Sequence, residues 1–208
     1  VQTESAAWIA GRRDVLSGLF YLGAAAWYLR AAARAERGPA ATGLLLLACL
    51  SKGTSVVLPA VALAAEWCWP PAQRRHWLTR QAFVWTVALG LLVVHLSVGR
   101  AQQVIQPYHG GGWLGNLTTS ARAFTRYFEV LAFPVNLCAR HHFPPTLSIW
   151  WLLAPAAFGA TIIALLARRR MAGLCLAWFA VGLAPVSGML FPLSRPFAER
   201  YLYAPALG

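Results

Sequence analysis

Lysine is almost missing from this chain. It occurs once, as Lys52, while the other seventeen basic residues are arginine. Acid is scarce as well: six Asp and Glu stand against eighteen Lys and Arg, for a formal net charge of +12. Neither an internal repeat nor a low-complexity linker is visible, so residues 1–208 read as a single domain. The four cysteines, Cys49, Cys68, Cys138 and Cys175, lack CxxC or metal-ligand spacing, and three fall in or beside apolar runs. They read as small core residues and imply no redox compartment.

Apolar surface takes the place of charge. The chain is 59% hydrophobic, has a mean hydropathy of +0.54 and carries ten tryptophans, which excludes an ordinary soluble domain and implies a polytopic membrane protein in a lipid bilayer. So basic a composition suits nucleic acid in principle, but the arginines lie in short clusters between apolar runs rather than along one polar face. That placement fits anionic lipid headgroups and the excess of basic residues in cytoplasmic loops, so no nucleic-acid partner is expected. The chain starts at Val1 without a methionine and stops at Gly208 as a new apolar segment begins; the expectation is a fragment of a longer protein, with no signal peptide needed.

The stretch from Leu44 to Trp69 organises the rest, because it carries the lone lysine through an apolar run. An ammonium at a helix centre in the bilayer costs about 2.5 to 3.5 kcal/mol on insertion scales, and such residues usually mark function; the plain alternative is that Lys52 snorkels to the interface. As one helix, Ala40 to Trp69 would run about 45 Å, too long for one comfortable crossing of a core about 30 Å thick. Broken at Ser51-Lys52-Gly53-Thr54 it becomes a split hairpin of two short arms. Backbone broken at that depth must be buried in protein or line a wet cavity, so Lys52 is expected on the floor of a cavity, aimed at a phosphate.

The remaining chain fits around this hairpin. Val1 to Asp14 reads as a polar loop with Glu4, Arg12, Arg13 and Asp14, and Val15 to Tyr28 as an apolar helix ending in Arg30, Arg34 and Arg37 before Gly38-Pro39. After Glu66, Trp67 and Trp69 at an aromatic interface, Pro70-Pro71 leads to Arg74, Arg75, His76 and Arg80, and Ala82 to Val98 is the next span. Only a hairpin that turns back places the Arg30, Arg74 and Arg168 clusters on one side, the cytoplasmic one. Gly99 to Ser148 is then a long external loop, within which Leu117 to Phe133 has the spacing of an interfacial helix. Trp150 to Ala167 and Ala172 to Leu190 are two further spans joined at Arg168 to Arg170. An external loop with Arg195, Glu199, Arg200, Tyr201 and Tyr203 closes the sequence. The fold class expected is therefore all-α, a polytopic transmembrane helix bundle.

Three polar stretches are expected to converge on the external face. Arg12, Arg13, Lys52, Arg195 and Arg200 would hold a phosphate or diphosphate headgroup, with Glu4, Asp14 and Glu199 as the available acids for proton transfer. Each has a plainer reading: Asp14 as a charge at a helix N-terminus, Arg12 and Arg13 as headgroup contacts, Glu199-Arg200 as a local ion pair. His141-His142 lacks a matching acid at ligand spacing and reads as solvated loop, and His95 as a hydrogen-bonded core histidine. No metal-ligand set is convincing and no cofactor is expected, though metal dependence is not legible. Asn116-Leu117-Thr118 matches a glycosylation sequon, a weak signal.

At VQTESAAWIAGRRDVLSGLFYLGAAAWYLR, and again at LSKGTSVVLP, YFEVLAFPVNL and FAERYLYAPALG, the chain resembles the membrane-embedded O-mannosyltransferases that carry tetratricopeptide repeats, and their bacterial relatives, in the C-type (GT-C) glycosyltransferase superfamily. The resemblance implies a GT-C-like bundle whose cavity opens to the lumenal or periplasmic side, and transfer of a sugar, typically mannose, from a polyprenyl-phosphate donor to a protein or glycan hydroxyl. By position, Glu4, Arg12, Arg13 and Asp14 match the family's polar stretch after its third helix, Lys52 the lysine of its split helix, and Glu199, Arg200 and Tyr201 its ERYLY segment. The family's acidic first external loop would lie upstream of Val1 and its repeats beyond Gly208. Cys138-Ala139-Arg140-His141-His142 stands where relatives often carry an acid. A bacterial inner-membrane enzyme facing the periplasm is the resulting expectation. The alternatives are a non-catalytic transporter or binder of an anionic lipid or solute, and a polymerase or ligase acting on lipid-diphosphate-linked glycans.

Overall fold

The computed structural model describes residues 12–70, 76–102, 108, 112–133, 148–189, 197, 199–202 and 205, with backbone alone at 199 and 200. Among them every regular element is helical. Helix α1 spans Arg12–Ala33, α2 Pro39–Ser51 and α3 Leu58–Cys68, with a 3₁₀ turn, Gly53–Val57, between the last two. Helix α4 spans Trp77–Ala101 and α5 Trp113–Ala132. Helix α6, Leu153–Ala167, is led by a 3₁₀ turn, Ile149–Leu152, and α7, Met171–Leu183, runs on into another, Ala184–Val186. Three helical stretches, Arg12–Ala33, Trp77–Ala101 and Ile149–Ala167, are long and apolar enough to cross a membrane; Pro39–Ser51, Gly53–Cys68 and Met171–Val186 are shorter and apolar.

The hairpin folds back on itself. Helix α1 runs antiparallel to α2, its start beside Lys52 and its end beside the base of the hairpin, where Gln81 donates to the Tyr28 hydroxyl at 2.8 Å. Alanine makes the close packing possible: Ala24, Ala41 and Ala48 are fully buried where α1, α2 and α4 meet, and small side chains let helix backbones approach where lipid offers no hydrophobic drive. Helix α3 returns to the same base, and α4 starts there and climbs until His95 reaches Cys49 at the top of α2. The turn between α6 and α7 also sits at the base, where the Trp67 indole donates to the Leu166 carbonyl and Arg169 lies over the Trp67 ring. Arg80 and Arg169 are thus at the end of the bundle opposite Lys52.

That base is tied by a buried network. Arg80 Nη2 meets Glu66 Oε1 at 3.0 Å, with side chains 1% and 5% exposed, and Glu66 also accepts from the Trp77 indole and the Gln81 amide. A second Arg80 nitrogen donates to the Glu36 carbonyl, joining the α1–α2 loop to the hairpin's return arm.

Two sequence expectations shift here. Arg12, Arg13 and Asp14, read as loop, form the first turn of α1, where the Asp14 carboxylate favours the positive end of the helix dipole. The expected interfacial helix starts at Trp113 rather than Leu117, and its first half buries polar side chains, with Asn116, Thr118, Thr119 and Ser120 packed inside the protein. Its lower half joins an aromatic cluster in which Phe124, Phe128, Phe158 and Phe179 meet edge-on or tilted. The sequon is closed: Asn116, in the first turn of α5, is 1% exposed, and its amide donates to the Gly188 carbonyl at 2.9 Å.

One glycine sets the α6–α7 approach. A Cβ at Gly173 would lie 2.8 Å from the Leu166 nitrogen and 2.9 Å from the Leu165 carbonyl carbon, which are backbone and cannot turn aside. Gly173→Ala is expected to destabilise the protein by about 1 to 3 kcal/mol, the usual cost of overpacking. Thermal unfolding in detergent checks this, and an unchanged midpoint would refute the close approach.

Candidate functional site

The site grows from the break in the hairpin. Pro59 sits at the first helical positions of α3, where its missing N–H and fixed φ are tolerated; inside a continuous helix its ring would strike the preceding turn. Helix α2 stops at Ser51, Lys52 takes an extended backbone with φ −155° and ψ 123°, and Gly53–Val57 winds as the 3₁₀ turn that leads to Pro59. Ending a helix strands its last carbonyls. Here the Ala48 carbonyl accepts from the Lys52 N–H at 2.9 Å and from the Ser17 hydroxyl at 3.2 Å, and Ser17 in turn meets the Ser55 hydroxyl at 2.7 Å.

Lys52 does not stand alone in its cavity. Its Nζ lies 2.7 Å from Asp14 Oδ1, so the chain's only lysine and only aspartate are partners. Lys52 is 25% exposed and Asp14 11%, enough desolvation for the pair to matter and enough opening for a ligand to reach it. An ammonium has three N–H donors, and the ion pair accounts for one.

The pair lines a small cleft, with a volume of about 20 Å³, that opens to solvent. Asp14, Ser17, Gly18 and Tyr21 form its α1 wall, positions i, i+3, i+4 and i+7 of one helical face. Lys52, Thr54 and Ser55 come from the broken turn. Opposite stand Trp178, Gly182 and Val186 from α7 and its extension, with Tyr201 and Pro205 from the chain's last segment. Trp178 packs edge-on to Tyr21 at 5.5 Å, so the polar floor has an aromatic side wall.

Of the residues expected to form the site, Asp14, Lys52 and Tyr201 are brought together. Arg12 and Arg13 are exposed on the first turn of α1 and do not line the cleft. Glu199 and Arg200 belong to a 3₁₀ turn, Glu199–Leu202, next to Tyr201; their side chains, like all of Glu4, Arg195, Cys138, His141 and His142, lie outside the described residues. Among the described residues no group of three or more His, Cys, Asp or Glu is placed to hold a metal ion. Ser17 and Ser55, which support the turn, are not among the residues expected from sequence, although the spacing from Asp14 to Tyr21 carries a signal for Ser17 once that face is known to be inward. His95, expected as a hydrogen-bonded core histidine, is part-buried and bonds the Cys49 carbonyl; that its partner lies at the break is not legible in sequence. No protein-family model, curated protein or solved structure matches this chain.

Proposed function

We propose that this chain belongs to a multi-pass inner-membrane glycosyltransferase of a bacterium, moving a sugar, with mannose the first to test, from a polyprenyl-phosphate donor to a protein or glycan hydroxyl on the periplasmic side. The observation that carries this reading is the Lys52–Asp14 pair in an open, partly aromatic cleft at the end of the bundle remote from Arg80 and Arg169. Basic turns favour the cytoplasmic side, which supports the reading that the cleft faces outward.

A cation and an acid at one place suit transfer from a lipid phosphate. The acceptor oxygen forms a bond to the anomeric carbon as the bond from that carbon to the phosphate oxygen breaks, with inversion. The acceptor proton goes to a carboxylate, for which Asp14 is the candidate in the cleft, and the charge left on the departing phosphate is met by the Lys52 ammonium. Asp14 engages the Lys52 ammonium as a phosphate would, so the two anions compete for it.

Incubating the protein in nanodiscs with radiolabelled polyprenyl-phosphate-mannose and envelope proteins tests the reading: label should move from lipid to acceptor. Label that stays on lipid across mannose and glucose donors would overturn it. Competition makes a further prediction. Asp14→Asn keeps an acceptor for Lys52 but removes the rival charge, so affinity for inorganic pyrophosphate should rise about fivefold, near the upper end for a partly exposed ion pair, while turnover falls. Weaker pyrophosphate binding in titration calorimetry would refute the competition.

A further inference from the structure

Helix α4 passes behind the broken turn, and one of its side chains touches the break itself. His95 Nε2 lies 3.1 Å from the Cys49 carbonyl oxygen. In an uninterrupted helix that carbonyl would accept from the N–H of residue 53, four residues on. The break carries Gly53 into the 3₁₀ turn and leaves the carbonyl without that donor, at a depth where backbone groups need partners from within the protein. A carbonyl only accepts, so Nε2 is the protonated nitrogen of the ring.

The ring does more than cap. A Cβ built on Gly53 would lie 2.9 Å from His95 Cδ2 and 3.0 Å from Cγ, so the imidazole covers the α-carbon of the residue that follows Lys52. A side chain at 53 and the imidazole at 95 exclude one another. From the α1 side, Ser17 bonds the Ala48 carbonyl and the Ser55 hydroxyl. Lys52 is therefore held between bonded neighbours at 48, 49 and 55, with supports on both flanks of the hairpin.

We infer that His95 is a positioning residue for Lys52: by capping Cys49 and covering Gly53 it holds the break in the one geometry that presents the ammonium to Asp14 and the cleft. Its meaning for ligand binding rests on the proposed role of Lys52, but the placement of the lysine can be read without that role. Because lysine occurs once in this sequence, acylation of the peptide containing residue 52 by a water-soluble activated ester, followed by mass spectrometry, reports this amine alone.

His95→Phe keeps a ring and removes the donor, and Gly53→Ala keeps the donor and displaces the ring. Both should change the Lys52 acylation rate by about fivefold, in the range of coupling through contacting groups, in protein that still elutes and unfolds as wild type. His95→Gln, with an amide N–H donor, should restore most of the wild-type rate, which a mere loss of packing would not allow. The double variant Gly53→Ala with His95→Ala removes the clash, so its rate should be no further from wild type than His95→Ala alone; it carries the test where Gly53→Ala does not fold. Wild-type rates in His95→Phe and Gly53→Ala, or a His95→Gln no better than His95→Phe, would overturn the inference. Pyrophosphate separates it from the function: rates that respond to His95 without protection of wild-type Lys52 by pyrophosphate support the positioning role and count against the phosphate site.

Discussion

On the proposed function, Lys52→Ala should lower sugar transfer by about a hundredfold or more while the protein stays folded, since removing one donor aimed at developing negative charge typically costs two to three orders of magnitude in turnover. Lys52 is the cation of the cleft among its described lining residues, and it sits in the turn rather than on a flexible loop. Substitution leaves Asp14, only 11% exposed, without its partner, so stability must be measured alongside activity. Lys52→Gln, which can still donate to Asp14, separates the two effects: it should fold as wild type and transfer as poorly as Lys52→Ala. Lys52→Arg should not recover full activity, because a planar guanidinium does not present the compact charge of an ammonium. Initial rates with labelled donor decide the matter, and near-normal transfer by folded Lys52→Gln would end the leaving-group role.

At the opposite end of the bundle, Arg80→Ala should destabilise the protein by about 3 to 5 kcal/mol, the cost of leaving one member of a buried ion pair uncompensated. Glu66 would lose its charged partner while 5% exposed, and the Glu36 carbonyl would lose its donor, so the base of the hairpin would part from the α1–α2 loop. Glu66→Ala should cost a similar amount, since Arg80 is 1% exposed and the Trp77 and Gln81 donors would both be stranded. The exposed Arg126–Glu129 pair on α5 is the control: its side chains are 27% and 54% exposed, and Glu129→Ala should change stability by less than about 1 kcal/mol. Unfolding by denaturant in detergent, with the double variant completing the cycle, measures these energies. Equal small effects at both pairs would show that the base network does not hold the hairpin.

The two predictions differ in how far the sequence led to them. Lys52 was conspicuous as a lone charge in an apolar run, whereas Glu66 and Arg80 were read separately, one as an interfacial residue and the other as part of a basic loop. Nothing local joins them, since α3 ends and a new helix begins between their positions. Asn116 shows the reverse case: a local motif was legible, and burial against Gly188 removed its meaning.

The local chemistry of the chain determined the helices, the apolar stretches and the break at Lys52, because hydropathy, a glycine and a proline act within a few residues of themselves. Only the tertiary structure decided what Lys52 faces. Its pairing with Asp14, the support from Ser17 and His95, and the approach of Tyr201 join residues far apart in the chain. Those contacts depend on which helix faces turn together, a property of packing that short-range pattern does not encode.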